Sequence, residues 1–231
     1  MKLMKKIFIF TIIIAMLALS FIIYKGYKLY EKSIAEISVE EKVNTIKNDK
    51  NFVNLNNVSD DFKNAIISIE DHRFYKHRGF DVISFGRAMF SNIKEGKLGQ
   101  GGSTISQQLA RNMYFTQEKN FSRKIAELFV VYNLEKNYSK DDILELYINT
   151  IYFGDGYTGI KEASNGYLNK EPIELNLYEA SLLAGIPNAP SVYALTNNPD
   201  LAEQRRQRVL DAMIRTGCIN EEEAEKVRKV K

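Results

Sequence analysis

The stretch "SRKIAELFVVYNLEKN", residues Ser122 to Asn137, sets the fold class of this chain. Its apolar residues fall on nearly all sides of a helix rather than along one stripe, and such helices are buried among other elements. The stretch "KDDILELYIN" follows it, and Ser139 with Asp142 three residues later makes a capping-box start for that next helix. The sequence therefore predicts a helical core built around residues 122–137.

Helical signals continue on both sides of this pair. A helix capped at Ser59 carries apolar residues at i, i+3, i+4 and i+7 spacing and runs into Glu70. A later helix begins at Asn198-Pro199 and ends near Gly217. Runs of Val, Ile and Thr with a period of two are scarce, so we predict a mainly α-helical fold.

The N-terminus predicts a membrane anchor. Residues 1–6 are basic and residues 7–24 carry no charge, and at about 1.5 Å per residue that helix nearly spans the hydrocarbon core. A cleaved signal peptide is the alternative, but the apolar run continues past the weak cleavage site at Ala18-Leu19-Ser20. We predict a retained anchor with residues 1–6 in the cytoplasm, a stalk or linker over 25–53, and a domain over 54–231 on the outer face.

The composition argues against several other classes of protein. The 231 residues are 45% hydrophobic and 26% charged, which is typical of a folded globular protein. The net charge of +3 is too small to indicate nucleic acid as a partner. One cysteine and two histidines argue against a structural zinc site. Ser91 and Lys94 match S-x-x-K, but no K-T-G follows, so a penicillin-reactive serine is not expected.

Two glutamates are candidates for chemistry. Glu70 opens the charged stretch "EDHRFYKHRGFD", although a charge run at a helix end is usually a solvated surface. Glu127 lies inside a helix that should be buried, so desolvation raises its pKa unless Arg123 or Lys124 compensates its charge. A purely structural Arg123–Glu127 pair is the alternative. Two separated glutamates suit glycosyl transfer, which needs a base for the attacking hydroxyl and help for the departing group.

The stretch "GGSTISQQLARN", residues 101–112, is rich in hydroxyls, amides and backbone donors. Such donors suit a sugar or a polyanionic ligand. Four cations lie in this stretch or soon after it, namely Arg111, Lys119, Arg123 and Lys124. The cluster suits a diphosphate, and a solvated basic face is the alternative.

Taken in order, five motifs resemble the glycosyltransferase domain of bacterial penicillin-binding proteins and the monofunctional peptidoglycan glycosyltransferases. The resemblance covers roughly residues 54–217, and the motifs read "EDHRFYKHRGFD", "GQGGSTISQQLARN", "RKIAELFVVYNLEKNYSKDDILELYIN", "YFGDGYTGIKEASNGYL" and "LLAGIPNAPSVYAL". The resemblance implies a lysozyme-like, mainly helical domain with a smaller membrane-facing lobe, here preceded by one transmembrane helix. Since no penicillin-reactive motif set is present, we expect a monofunctional enzyme.

The resemblance also implies a reaction and its partners. The enzyme would polymerise lipid II, transferring the growing glycan from undecaprenyl diphosphate to the 4-hydroxyl of an acceptor disaccharide with inversion. Its partners would be lipid II, the glycan strand, the cytoplasmic membrane and other cell-wall synthesis proteins. A Mg²⁺ or Mn²⁺ ion bridging the substrate diphosphate is implied without a dedicated metal motif, and no organic cofactor is expected.

The resemblance carries functional roles onto individual residues. Glu70 aligns with the general base, and Glu127 with a second catalytic glutamate that either assists departure of the diphosphate or positions its metal and cationic partners. The substrate-binding positions implied are Ser103, Thr104, Gln107, Gln108, Arg111, Lys119, Arg123 and Lys124. Lys119 departs from the arginine that is common in the family, and lysine keeps the charge but not the bidentate geometry. Leu168-Asn169 replaces the usual Phe-Gly in a region that we interpret as structural.

Two other functions remain open at the level of the sequence. A membrane-tethered muramidase on the same scaffold would also use carboxylates, but a hydrolase of finished glycan has no diphosphate for the cation cluster to bind. A non-catalytic scaffold of the cell-wall machinery is the second alternative, and the presence of both glutamates argues against it.

Overall fold

The computed structural model describes residues 2–95, 102–116 and 120–229, and helices account for most of them. The helices are, in chain order, α1 (Lys2–Glu36), α2 (Val39–Lys47), α3 (Asp60–Glu70), α4 (Val82–Glu95), α5 (Ile105–Tyr114), α6 (Phe121–Asn137), α7 (Lys140–Thr150), α8 (Ile160–Leu168), α9 (Leu177–Gly185), α10 (Pro190–Tyr193), α11 (Pro199–Thr216) and α12 (Glu221–Arg228). Within the described ranges, β structure is limited to two isolated bridges, Arg78–Phe80 and Tyr152–Thr158. The prediction of a mainly α-helical fold is confirmed.

The helix ends lie where their capping residues predict them. The Ser59 hydroxyl accepts from the backbone N–H of Phe62 at 3.1 Å, which starts α3. Ser139 and Asp142 form a reciprocal capping box at the start of α7. Gly217 ends α11 in the left-handed conformation with φ of 76°, which favours glycine.

Helix α6 lies at the centre of the fold, as its apolar residues predict. Val130 and Leu134 are buried, and α6 contacts α5 and α7 as well as α1. Helix α1 covers a face of α6 that the rest of the domain leaves open. Helix α6, which is apolar on most sides, is therefore largely buried. Phe121 and Tyr132 depart from this pattern, since they are 81% and 69% exposed.

Helix α1 contains the predicted anchor and is also part of the packed domain. It is long and apolar enough to cross a membrane, and it continues beyond the predicted span as far as Glu36. Gly26 lies directly against α6, where a Cβ atom would come within 2.5 Å of Ile125. Tyr27 and Tyr30 pack against the ring of Phe129. The absence of a side chain at position 26 therefore permits the close approach of the two helices.

The segment predicted as a stalk or linker over 25–53 is packed against the rest of the chain. Val39 and Val43 of α2 belong to the hydrophobic core. The backbone of Val53 makes two hydrogen bonds to the side-chain amide of Asn149 on α7. The segment was predicted as a linker because most of its residues are polar, but a few apolar residues attach it to the core.

A second group of helices supports the end of α3. Helix α3 packs against α9 and α11, and α11 also packs against α9. Phe62 and Ile66 on α3 are fully buried. The C-terminus of α3, which carries Glu70, is thereby supported by α9 and α11.

Candidate functional site

A cleft of about 980 Å³ opens at the C-terminal end of α3. Its walls come from that helix end, from the first turns of α4 and α5, and from one face of α11. Five arginines line it, namely Arg87, Arg111, Arg205, Arg208 and Arg215. Three of its four carboxylates, Asp71, Asp81 and Asp211, are paired with cationic or histidine side chains outside the lining, so the cleft presents a positive surface around Glu70.

Glu70 is held at the base of this cleft. Its Oε2 accepts a hydrogen bond from Gln108 Nε2 at 2.7 Å, and its Oε1 lies 3.8 Å from a guanidinium nitrogen of Arg205. Only 11% of the side chain is exposed. Burial raises the pKa of Glu70 above its ordinary value, while Gln108, Arg205 and Arg111 oppose that rise. A carboxylate poised in this way is suited to accept a proton.

Tyr147 fixes the orientation of the amide that holds Glu70. Its hydroxyl, which belongs to a fully buried side chain on α7, donates to Gln108 Oε1 at 3.2 Å. The amide oxygen is thus engaged, and its nitrogen faces the carboxylate. Tyr147, Gln108 and Glu70 form a hydrogen-bonded row that links the core to the cleft.

The adjacent glutamine has a different place. Gln107 is buried, and its Oε1 accepts from the backbone N–H of Thr104, while the Thr104 hydroxyl accepts from the backbone N–H of Gln107. This reciprocal capping box starts α5. The Thr104 hydroxyl also donates to the carbonyl of Gly79 at 2.6 Å. Thr104 lines the cleft and Gln107 does not.

Asp71 connects the cleft to the start of α5. It accepts from the backbone N–H of Ile105 at 3.0 Å, and both of its oxygens lie within 3.0 Å of His77 Nε2. Because Ile105 is the first residue of α5, this contact fixes the helix that carries Gln108 and Arg111. Asp71 is therefore a supporting residue of the site.

Glu127 is fully buried and is not among the residues that line the cleft. It forms ion pairs with Arg123 and with Lys124, whose Nζ lies 3.1 Å from Glu127 Oε2. Lys124 Nζ also donates to the hydroxyl of Ser103 at 3.1 Å, and Ser103 does line the cleft. Glu127 thus reaches the cleft wall through Lys124 and Ser103.

The structure brings together five of the residues that the sequence predicts for the site. Those lining the cleft are Glu70, Ser103, Thr104, Gln108 and Arg111. Gln107, Arg123, Lys124 and Glu127 are not among the lining residues. Lys119 lies outside the described residues. The functional roles of all these residues stay predictions.

The sequence reasoning missed the arginines that α11 contributes. Arg208 and Arg215 follow Arg205 by three and ten residues, which places the three side chains within roughly 80° of one another around a helix. That spacing was the available signal for a basic helix face. What it could not indicate was that this face meets the end of α3, since the two segments lie far apart in the chain.

Carboxylate and histidine side chains do not cluster as metal ligands in the part of the chain that the structure describes. No group of three or more His, Cys, Asp or Glu residues there is arranged to hold a metal ion. The cleft instead offers guanidinium groups, which bind phosphate oxygens directly. The described residues therefore do not provide a set of protein ligands for the predicted divalent ion on the substrate diphosphate.

Replacing Tyr147 with phenylalanine should shift the acid limb of the activity profile to higher pH. Without the tyrosine hydroxyl, the Gln108 amide is free to turn, and the Glu70 carboxylate loses its donor. Loss of a donor to the charged form raises the pKa of Glu70 further, and a base must be deprotonated to act. The measurement is kcat/KM against pH, with Tyr132→Phe at an exposed site as control. An acid limb that stays in place would show that the hydroxyl does not act on Glu70.

Comparison with known proteins gives a consistent result. Residues 38–214 match the sequence profile of the family described as Transglycosylase. The chain is 39% identical over 227 residues to penicillin-binding protein 1F of Bacillus subtilis (strain 168), covering 94% of this chain and 32% of that protein. It is 40% identical over 179 residues to penicillin-binding protein 4 of the same organism, covering 78% of this chain and 29% of the relative.

A third relative is penicillin-binding protein 1A of Neisseria lactamica, 42% identical over 165 residues, which cover 71% of this chain and 21% of that protein. The chain thus spans about a third or less of the length of these curated relatives. The profile match begins at residue 38, so it includes α2 and part of the predicted linker.

Proposed function

The chain belongs to the transglycosylase family, and we propose on that basis that it polymerises lipid II into linear glycan strands. The observation that carries the proposal is the Glu70 carboxylate, held by Gln108 in a cleft lined by five arginines. Membership of the family confirms the prediction of a glycosyltransferase with a lysozyme-like helical domain. The lipid II donor, the linkage formed and the stereochemistry are parts of the proposal.

In the proposed reaction Glu70 is the general base. It takes the proton of the acceptor 4-hydroxyl as that oxygen attacks the anomeric carbon of the donor. The bond from the anomeric carbon to the diphosphate oxygen breaks, and the undecaprenyl diphosphate leaves with the electron pair. Attack from the face opposite the leaving group inverts the anomeric centre. The row from Tyr147 through Gln108 keeps the carboxylate oriented toward the cleft.

The arginines of the cleft are the proposed partners of the donor diphosphate. Arg111 Nε is buried and has no hydrogen-bond partner among the described residues, so an oxyanion would satisfy it. Arg208 and Arg215 extend the same positive surface along α11. Guanidinium groups match phosphate oxygens in a bidentate geometry, which favours a diphosphate over a neutral sugar.

Two apolar surfaces support a site of action at the membrane. Helix α1 can span a bilayer, and α4 exposes large apolar side chains beside the cleft, among them Val82, Ile83 and Phe90. An exposed apolar face of this kind is typical of contact with a membrane surface. We propose that residues 1–6 face the cytoplasm, that α1 anchors the chain, and that α4 contacts the outer leaflet, where a lipid-linked donor would lie.

A Mg²⁺ or Mn²⁺ ion on the diphosphate stays a prediction. The described residues around the cleft supply arginines rather than a carboxylate cluster, so the substrate oxygens would have to hold such an ion. No step of the proposed reaction depends on it.

The direct test is incubation of the purified full chain with lipid II in detergent, followed by separation of the products by size. Long glycan polymer together with release of undecaprenyl diphosphate would support the proposal. Short muropeptide fragments from finished glycan would support the muramidase instead. Unchanged lipid II, with a folded protein under several detergent conditions, would favour the non-catalytic scaffold.

Substitution of Lys124 by arginine should remove an alkaline limb from the activity profile. Burial, with Arg111 and Arg123 nearby, lowers the pKa of Lys124 to about 8. As pH rises through that value, the ammonium group loses its proton and its charge beside Ser103, so activity should fall. Arginine keeps its charge throughout this range. An alkaline limb that persists unchanged in Lys124→Arg, measured as kcat/KM between pH 6 and 10, would assign it to another group.

A further inference from the structure

A second, shallower depression of about 570 Å³ lies at the far end of α6, where this helix meets the start of α7. We call it the His77 depression. Its charged lining consists of Lys76, Arg78, Lys136, Lys140 and Glu135, together with His77. It shares none of its lining residues with the cleft that contains Glu70.

The cations of the His77 depression exceed what its own carboxylate can neutralise. Glu135 accepts hydrogen bonds from Lys140 and from the hydroxyl of Ser106. Within the described residues, Lys76, Arg78 and Lys136 have no ion-pair partner. Three uncompensated cations that share one concave surface favour an anionic ligand with more than one negative charge.

His77 supplies a second, independent indication of a ligand. Only 5% of its side chain is exposed, and its Nε2 is engaged by Asp71. Its Nδ1 is buried and has no hydrogen-bond partner in the part of the chain that the structure describes. Burying a polar atom without a partner is unfavourable, and a hydrogen bond to a ligand atom can recover that loss. When Nδ1 carries a hydrogen it is a donor and suits an oxyanion.

The position of the depression indicates the side from which a ligand would arrive. Helices α1 and α6 run in the same direction, since Gly26 lies against Ile125 and Tyr30 against Phe129. Lys136 lies eleven residues beyond Ile125 along α6, which is roughly 16 Å further from the apolar end of α1. The depression therefore lies further along the domain from the apolar end of α1, where a ligand from the aqueous phase can reach it.

We propose that the His77 depression binds a multiply charged oxyanion from the aqueous phase, carried by phosphate or by carboxylate groups. The exposed cations at its rim attract the ligand, and the ring nitrogen of His77 makes the buried contact. The site is distinct from the donor site proposed above, and its occupancy can be tested without measuring activity.

The two histidines of the chain make this test specific. His72 lines the cleft and His77 lines the depression, so each site contains one histidine ring whose signals can be followed. The full chain in detergent micelles is labelled with ring-¹⁵N histidine and titrated with inorganic diphosphate or with citrate at constant pH and ionic strength. His72→Gln assigns the two signals. We expect a saturable shift of the His77 signals, and the tighter of the two probes identifies phosphate or carboxylate as the preferred group.

Matched variants separate direct binding from other effects. Arg78→Gln/Lys136→Gln removes two exposed cations of the depression and should weaken the His77 response by roughly tenfold or more. Lys50→Gln/Lys229→Gln removes the same net charge at exposed positions elsewhere and should leave the response unchanged. The His72 response, which should persist in both, verifies that each variant is folded.

Two results would overturn the proposal. One is a His77 signal that does not shift at ligand concentrations that saturate the shift of the His72 signal. The other is a His77 shift that survives in Arg78→Gln/Lys136→Gln with the same midpoint as the His72 shift, because it would then be transmitted from the cleft through Asp71. If a folding defect in the double variant removes the His72 signal as well, the single variant Lys136→Gln replaces it, with a weaker His77 response expected.

Discussion

Replacing Glu70 with glutamine is expected to lower polymer formation from lipid II by about 10²–10⁴-fold, the usual cost of losing a general base. Glutamine keeps the size of the side chain, but its amide cannot take the proton of the acceptor hydroxyl. The loss should fall on kcat, because the arginines that we propose for the donor remain in place. Turnover is measured with purified full chain and lipid II in detergent.

The fold should survive this substitution. Burial already raises the pKa of Glu70, which means that the charged form is disfavoured in the folded protein, so a neutral replacement removes no net stabilisation. Glu40→Gln, at an exposed position on α2, provides the matched control with normal activity. Near-normal turnover by a folded Glu70→Gln protein would refute the assignment of Glu70 as the base.

Glu127→Gln is expected to destabilise the protein by about 3 kcal/mol, near the lower end of the range for breaking a buried ion pair. The Arg123 side chain is only 12% exposed and would lose its carboxylate partner. Lys124 is 38% exposed and can reach water, which limits the loss. The free energy of unfolding in denaturant measures the effect. Glu222→Gln breaks an exposed i,i+4 pair with Lys226 and should cost less than about 1 kcal/mol.

The same variant should also lower kcat. Glu127 does not line the cleft, so its influence must pass through Lys124, which donates to Ser103 in the cleft wall. Without the Glu127 carboxylate, Lys124 loses the ion pair that holds its ammonium group beside Ser103. If Glu127→Gln lost stability but kept wild-type kcat and KM, Glu127 would be a purely structural partner of Arg123 and Lys124.

The sequence by itself determined several of the helices, among them α3, α6, α7 and α11, and where they begin or end. Caps such as Ser59, Ser139 and Gly217 satisfy backbone groups within one turn, so their effect can be predicted without knowing the rest of the fold. The periodicity of apolar residues before Glu70, and the apolar residues on nearly all sides of α6, can also be recognised from a short stretch of sequence. The glutamate at the end of α3 could therefore be identified as a candidate from the sequence.

Only the tertiary structure decided which side chains meet. Gln107 and Gln108 are neighbours in the chain, yet one caps α5 and the other holds Glu70, because successive helical residues point about 100° apart. Arg205 reaches Glu70 from α11, although 135 residues separate them in the sequence. Glu127 is buried and is not among the residues that line the cleft, because its helix is covered on several faces. Contacts between distant segments depend on how whole helices pack, and no short stretch of sequence contains that information.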